Sequence, residues 1–175
     1  MIERNSLLTF RKKFAKILQT MCFYGKDREM IGCTFFGHRD APSDIKSMIR
    51  DAIVDLITNK GVDMFMVGDS GNFDRMVNVV LKELEPHYEF NYQIVISRIP
   101  GKKTDVSSVS SETPTILPNG IENIIPKFAI DYRNNYMLSM SDFVITYIVR
   151  SYGGAAKYYK KAISKNKIVI NIAEK

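Results

Sequence analysis

The sequence is poor in the residues that build metal centres and disulfide frameworks. Its 175 residues include two cysteines, Cys22 and Cys33, and two histidines, His38 and His87. No metal-ligand spacing can be assembled from so few ligands, so we predict no metal site, and we predict no cofactor. A chain of this length can bury enough of a core to be stable without a disulfide. So few cysteines are typical of proteins in a reducing compartment. This composition favours a cytoplasmic protein.

Long apolar runs are also lacking. No window approaches the roughly 20 consecutive apolar residues that a membrane span requires. Five basic residues interrupt the beginning of the sequence, so we expect neither a secretory leader nor a membrane anchor there. They are Arg4, Arg11, Lys12, Lys13 and Lys16.

Positive charge is unevenly divided. The net charge is +6, and residues 1–29 carry seven Lys or Arg against three Asp or Glu, a net of +4, which leaves +2 for residues 30–175. A protein that wraps a phosphate backbone is expected to spread positive charge over one face of its fold. The mild charge of residues 30–175 therefore argues against nucleic acid as the main partner.

Residues 1–29 form a basic N-terminal extension in this interpretation. Apolar residues recur at helical spacing between Leu7 and Leu18, whereas the basic residues lie elsewhere on the helix, which predicts a short amphipathic helix. Such a helix either packs on the domain's own surface or contacts a partner or a membrane surface.

From residue 30 onward, strand and helix patterns alternate. Short apolar runs predict strands at 31–36, 62–67, 92–97, 143–149 and 168–172, and apolar residues at 3.6 spacing predict helices at 43–60, 73–84, 129–140 and 153–166. Alternation of this kind implies a parallel sheet covered by helices on both faces. We predict a doubly wound α/β domain over residues 30–175, with about five mainly parallel strands in the order 3-2-1-4-5.

The segment 98–127 breaks this alternation. Four prolines and two glycines punctuate it, and serines are concentrated at 107–111. A long irregular loop inside a compact domain is usually functional; the alternative is a solvated insertion. The sequence leaves both open.

Three turns share one pattern, an apolar strand followed by a glycine or polar turn and then a helix. They lie at 34–40, 64–75 and 147–154. Right-handed crossovers place the loops after parallel strands at one edge of the sheet, where open α/β sheets bind ligands. We therefore expect the three turns to form one crevice.

The turn at 64–75 is suited to an anionic ligand. Gly68 and Gly71 are expected to take positive φ and to approach a phosphate or ribose closely, beside the positive end of the following helix. Asp69 lies in the turn with Ser70 and is the better candidate for facing a ligand. Asp74 either completes the first helical turn or accepts hydrogen bonds from ribose hydroxyls.

The other two turns add donors. Arg39 either clamps a phosphate with its guanidinium or pairs with Asp40 or Asp44. His38 donates to a phosphate, acts as an acid or base, or makes a structural hydrogen bond to a neighbouring loop. The pair Gly153-Gly154 is either a second helix N-terminus for an anion or a plain turn.

Four ordered motifs resemble the SLOG superfamily over about residues 30–173, and the chain looks most like its short stand-alone members. The motifs are Thr34 to Arg39, Gly68 to Asp74, Arg133 to Met137 with Ser141-Asp142, and Gly153 to Ala155. The resemblance implies a Rossmann-like fold and a nucleotide-like ligand in the crevice. It implies these ligand-binding residues: Gly37, His38, Arg39, Gly68, Asp69, Ser70, Gly71, Asp74, Arg133, Gly153 and Gly154.

The resemblance does not imply one activity. The superfamily includes the phosphoribohydrolases called Lonely Guy, whose Pro-Gly-Gly-x-Gly-Thr-x-x-Glu motif supplies a glutamate, but the matching stretch 151–159 here has none. Because that cleavage needs a carboxylate, we predict binding or sensing of a nucleotide or nucleotide-derived molecule. Two alternatives remain. One is a phosphoribohydrolase with Asp69 or Asp74 as its catalytic carboxylate.

The second alternative is single-stranded DNA binding, as in the DprA members of the superfamily, helped by the basic residues 1–29. From its position on a predicted helix alone, Arg133 is expected to be exposed to solvent. Only the family resemblance predicts that it binds a ligand. Apolar helix faces would also suit a homo-oligomer.

Overall fold

Six parallel strands form the centre of the part of the chain that the structure describes. The computed structural model describes residues 30–98 and 114–174, so the predicted extension 1–29 and part of the predicted loop 98–127 lie outside the described residues. The strands are β1 Gly32–Gly37, β2 Met64–Val67, β3 Asn91–Val95, β4 Thr115–Ile116, β5 Phe143–Tyr147 and β6 Ile168–Asn171. Every neighbouring pair is parallel, in the order β4-β3-β2-β1-β5-β6.

The predicted strand order is confirmed for the five predicted strands, and the predicted count of five is corrected to six. The additional strand, β4, lies at the sheet edge beside β3, with Ile94 opposite Thr115 and Val95 opposite Ile116. It falls inside the segment predicted to be irregular. A strand of two residues has no alternation for a sequence pattern to show, and it is held by backbone pairing instead.

Four α-helices in the described ranges cover the sheet. They are α1 Lys46–Lys60, entered through a 3-10 turn at Ser43–Ile45, then α2 Asn72–Leu84, α3 Ala129–Ser139 and α4 Gly154–Ser164. None of the described helices is long and apolar enough to cross a membrane.

The helices lie on both faces of the sheet, as predicted. Successive residues of β1 show this, because side chains alternate between the faces of a strand. Phe35 packs in the cluster that contains residues of α1 and α2, whereas Phe36 packs with Leu138 of α3 and Tyr158 of α4. The fold is therefore an α/β Rossmann-like sandwich with two helices on each face.

The centre of the sheet positions the crevice. β1 pairs with β2 on one side and with β5 on the other. The carboxyl ends of these three strands are consequently adjacent, and the loops that follow them meet at one edge, as expected for a parallel sheet.

Candidate functional site: the cavity at the carboxyl edge

A cavity of about 290 Å³ opens at the carboxyl ends of β1, β2 and β5. Its walls are the three predicted turns and one face of α3. Two predicted site residues, Asp69 and Gly71, are not among its lining residues. The other predicted residues all line it, namely Gly37, His38, Arg39, Gly68, Ser70, Asp74, Arg133, Gly153 and Gly154.

The turn between β2 and α2 is tied to the turn after β1. Gly71 has φ of 102°, a left-handed value that favours glycine, as predicted. The following Asn72 donates its backbone N–H to the carbonyl of Arg39 at 2.8 Å and its side-chain amide to the carbonyl of Ala41 at 2.6 Å. Within the described residues, no side-chain cap occupies the N-terminus of α2. The N–H of Asn72 is thus already used, and the N–H groups of Phe73 and Asp74 are the ones left at that end for a ligand.

Gly68 corrects the sequence interpretation. It is not among the glycines with positive φ. A Cβ there would instead overlap Asp74 Oδ2 and would lie 3.1 Å from Cζ of Arg133. Glycine is required because the side chains of Asp74 and Arg133 pack against this backbone. A local sequence pattern cannot reveal such tertiary contacts.

Asp74 is the buried carboxylate of the cavity lining, whereas Asp40, the other acidic lining residue, is exposed. Its side chain is nearly enclosed, since the residue is 9% exposed, and Oδ2 accepts the N–H of Ser70 at 3.1 Å. Burial raises the pKa of Asp74 to about 6, although Arg133 and the Ser70 hydrogen bond act to lower it. Oδ1 makes no hydrogen bond to any other described residue. The carboxyl group is thus partly protonated near neutral pH and keeps one oxygen for a ligand.

Arg133 is buried rather than solvated, which corrects the expectation from its position. It is 4% exposed; Nη1 donates to Oδ1 of Asp69, and Nε and Nη2 donate to Oδ1 of Asn134 at 3.0 and 2.9 Å. The face of α3 explains the burial, because Ile130, Arg133, Asn134 and Met137 at helical spacing all line the cavity. Asp69 serves as the ion-pair partner of Arg133.

His38 makes a structural hydrogen bond, one of its three predicted roles. It is 5% exposed, and Nε2 accepts the backbone N–H groups of Val149 and Arg150, each at 3.3 Å. An accepting Nε2 is unprotonated, so we assign the proton of the neutral ring to Nδ1. Burial and then the nearby Arg150 lower the pKa of His38, more than Asp40 raises it.

Arg39 is exposed, and its guanidinium makes no hydrogen bond or ion pair with another described residue. The ion pair with Asp40 that the sequence offered as an alternative is made by Arg150 instead, through two bonds of 3.0 and 2.5 Å. Arg150 also lines the cavity, with Tyr152 and Ile130. Sequence reasoning missed these three residues, although the first two lie inside the third predicted turn.

The turn between β5 and α4 supplies a second helix N-terminus. Gly153 has φ of 93°, and α4 begins at Gly154 with no side-chain cap from the described residues. A Cβ at either glycine would meet nothing within 4 Å. The first N–H groups of α4 are therefore open to the cavity. No group of three or more His, Cys, Asp or Glu in the described ranges is placed to hold a metal ion.

Comparison with known proteins identifies the fold. No family model matches the chain, and no curated protein matches it. A similar solved structure is the X-ray structure of DNA processing protein A (DprA) from Streptococcus pneumoniae, with a TM-score of 0.60 and 13% sequence identity. The match covers 80% of this chain and 49% of that chain, so the present chain spans about half the length of its structural neighbour. At this identity the likeness establishes a shared α/β fold.

Proposed function

We propose that the protein binds a nucleotide or nucleotide-derived small molecule in the cavity at the carboxyl edge. The observation that carries the proposal is the combination of groups around one cavity: an arginine with an unpaired guanidinium, uncapped helix N-termini and a buried carboxyl group with an open oxygen. The volume of about 290 Å³ is at the lower end of small-molecule sites, about 300–1,000 Å³. A single nucleotide is a ligand of suitable size.

The phosphate has its best position beside Arg39. This residue lies against Gly71, at the N-terminus of α2, since a Cβ on Gly71 would be 3.0 Å from Cα of Arg39. A guanidinium fork binds phosphate oxygens through two hydrogen bonds, and helix N–H groups favour the same anion. The N-terminus of α4, at Gly153-Gly154, is a second donor set for another oxygen of the ligand.

The sugar has its best position beside Asp74. Oδ1 of this residue can accept a hydrogen bond from a ribose hydroxyl, and the neighbouring Arg133 favours the ionised form. Because the carboxyl group is buried, water competes less for its hydrogen bond to a hydroxyl than it would at an exposed carboxyl group.

Substitution of Arg39 tests the proposal. AMP at a hundredfold excess over its Kd is expected to raise the melting temperature by about 5 °C or more. Arg39→Gln should weaken AMP binding about tenfold or more in calorimetry, because a charged hydrogen bond contributes about 1.5–3 kcal/mol. The matched control is Arg75→Gln, an exposed arginine of α2 that does not line the cavity. Absence of any AMP binding by folded protein, or equal losses in both variants, would contradict the proposal.

Hydrolysis of an N-glycosidic bond is a second candidate function, favoured by the pKa of Asp74. A carboxyl group that titrates near pH 6 is suited to general acid or base catalysis. In this reaction water adds to the anomeric carbon of the ribose, and the base leaves with a proton. Release of free base from AMP, lost in Asp74→Asn and retained in part in Asp69→Asn, would support it. If AMP remains intact in the presence of the protein, hydrolysis is excluded and binding is the only one of these two functions that remains.

Nucleic acid is a third candidate ligand, favoured by the charge of α4 and of the loops before and after it. Residues 143–173 contain six Lys or Arg and no Asp or Glu. The net charge of +2 on residues 30–175 is therefore the sum of +6 in this segment and −4 in the other residues of that range. The structural neighbour with a similar fold is a DNA processing protein by its title.

A further inference from the structure

We propose that Tyr152 and Ile130 form a subsite for the planar aromatic base of the ligand at the rim of the cavity. This inference rests on the proposed nucleotide function and assigns it two residues that determine specificity. Both side chains line the cavity, one from the turn between β5 and α4 and the other from the first turn of α3.

The exposure of these two side chains is the first observation. Tyr152 is 70% exposed and Ile130 is 42% exposed, although the cavity beside them is otherwise lined mainly by glycines and polar or charged residues. An aromatic ring left in solvent at the edge of a polar cavity is an available stacking surface, since every nucleobase has a π face. An aliphatic side chain nearby gives the same flat ligand a second apolar contact.

The support behind Tyr152 is the second observation. Cζ of Arg150 lies 5.8 Å from the centre of the Tyr152 ring, and Asp40 holds the guanidinium through two hydrogen bonds. His38 fixes the backbone of the same residue by accepting its N–H. Arg150 therefore covers one face of the ring from a position that is itself fixed, and the exposed area of the ring is left for a base.

Comparison of AMP with ribose 5-phosphate separates the base from the rest of the ligand. Calorimetry should show AMP binding about tenfold or more tightly than ribose 5-phosphate, since one base–aromatic stack contributes about that factor. Tyr152→Ala should remove this advantage and leave the affinity for ribose 5-phosphate unchanged, whereas Tyr152→Phe should retain it. Tyr159→Ala, on α4 outside the cavity lining, is the matched control. Because Tyr152 is exposed, its variants should melt within about 1 °C of the unmodified protein.

The outcomes distinguish this inference from the function on which it rests. Equal affinities for AMP and ribose 5-phosphate, or a Tyr152→Ala variant that keeps the advantage of AMP, would overturn the base subsite and leave the binding function intact. A Tyr152→Ala variant that weakens both ligands equally would also overturn it. If neither compound binds to the folded protein, the proposed function and the subsite both fail.

Discussion

Asp74 and His38 respond to pH in opposite directions. The folded-state pKa of Asp74 is raised, mainly by burial, to about 6 from 3.8. The folded protein therefore holds this proton more tightly than the unfolded chain, and the associated stability is present below pH 4 and is lost as pH rises through 6. At 1.36 kcal/mol per pKa unit, the ionised Asp74 lowers the free energy of unfolding by about 3 kcal/mol at pH 7.5.

Replacement of Asp74 by asparagine should consequently stabilise the protein. We expect Asp74→Asn to raise the free energy of unfolding by up to about 3 kcal/mol at pH 7.5, with a smaller gain at pH 5, because the neutral amide avoids burying a charge. Urea denaturation at the two pH values measures this. Asp51→Asn, on the exposed side of α1, should change stability by less than about 0.5 kcal/mol. A loss of stability in Asp74→Asn that does not depend on pH would contradict the account.

The same substitution at two glycines tests the packing of the site. Gly68→Ala should destabilise the protein by about 1–3 kcal/mol, because its Cβ overlaps Asp74 and displaces Arg133. Gly154→Ala, whose Cβ meets nothing within 4 Å, should be neutral or slightly stabilising, as for other glycines with ordinary φ. Chemical denaturation of the two variants measures the contrast, and equal effects would show that Gly68 is not sterically required.

At the level of residues, the sequence predicted which residues line the cavity better than it predicted the contacts that place them there. Gly68 was expected for a left-handed φ, but its reason is the approach of Asp74 and Arg133 from elements far apart in the chain. Arg133 was expected to be solvated, because a single helix does not reveal which face the other elements cover. Tertiary packing decides both cases, and local patterns contain no information about it.

At the level of elements, hydrogen bonds and an ion pair connect the loop after β1 with the loop after β5. His38 accepts two N–H groups of the β5–α4 loop, and Asp40 pairs with Arg150 of that loop. Since the pKa of His38 is lowered, its stabilising contribution is present above about pH 6.5, the value of an unperturbed histidine, and is lost as pH falls through the lower folded value.

Amide hydrogen exchange should detect this connection. The protection factors of the Val149 and Arg150 amides are expected to fall about tenfold as the pH is lowered from 7.5 through the folded pKa of His38, because protonated His38 no longer accepts a hydrogen bond. His38→Gln, with an acceptor that does not titrate, should keep the protection throughout the acid titration, and His38→Leu should lack it at every pH. His87→Gln, at the only other histidine and exposed after α2, is the control. A pH dependence that persists in His38→Leu would contradict the assignment.

The elements themselves were largely predictable. The hydrophobic periodicities of α2 and α4 and the apolar runs of the five longer strands are strong signals, and glycines mark the beginning of α2 and α4. The periodicities of α1 and α3 are weaker. β4 was missed because two residues have no period. The loop-to-loop bonds were missed because His38 and Arg150 are separated by more than 100 positions in the sequence.

At the level of the whole molecule, charge is the feature with a testable consequence. A division of the charge at residue 30 does not reveal the basic segment at 143–173, whose Lys and Arg residues lie in α4 and in the loops on either side of it. The strand order, in contrast, followed from the alternation of elements and the handedness of their connections.

An oligonucleotide measures the consequence of this asymmetry. We expect single-stranded DNA to bind weakly and to lose affinity with added salt, since counterion release dominates such binding. Lys160→Gln combined with Lys165→Gln should reduce the slope of log K against log salt by about 1 to 2. The control pair is Lys60→Gln with Arg75→Gln, on the other face of the sheet. Absence of binding at low salt would remove nucleic acid from the candidate ligands.

Mapping AMP onto the backbone amides by NMR tests the central claim most directly. We expect saturable chemical-shift changes at Gly68–Asn72 and at Gly153–Ala155, where the N-termini of α2 and α4 meet the cavity. Amides on the exposed side of α1 should not move. Saturable changes confined to another surface, or no changes with the protein folded and AMP in excess, would contradict it.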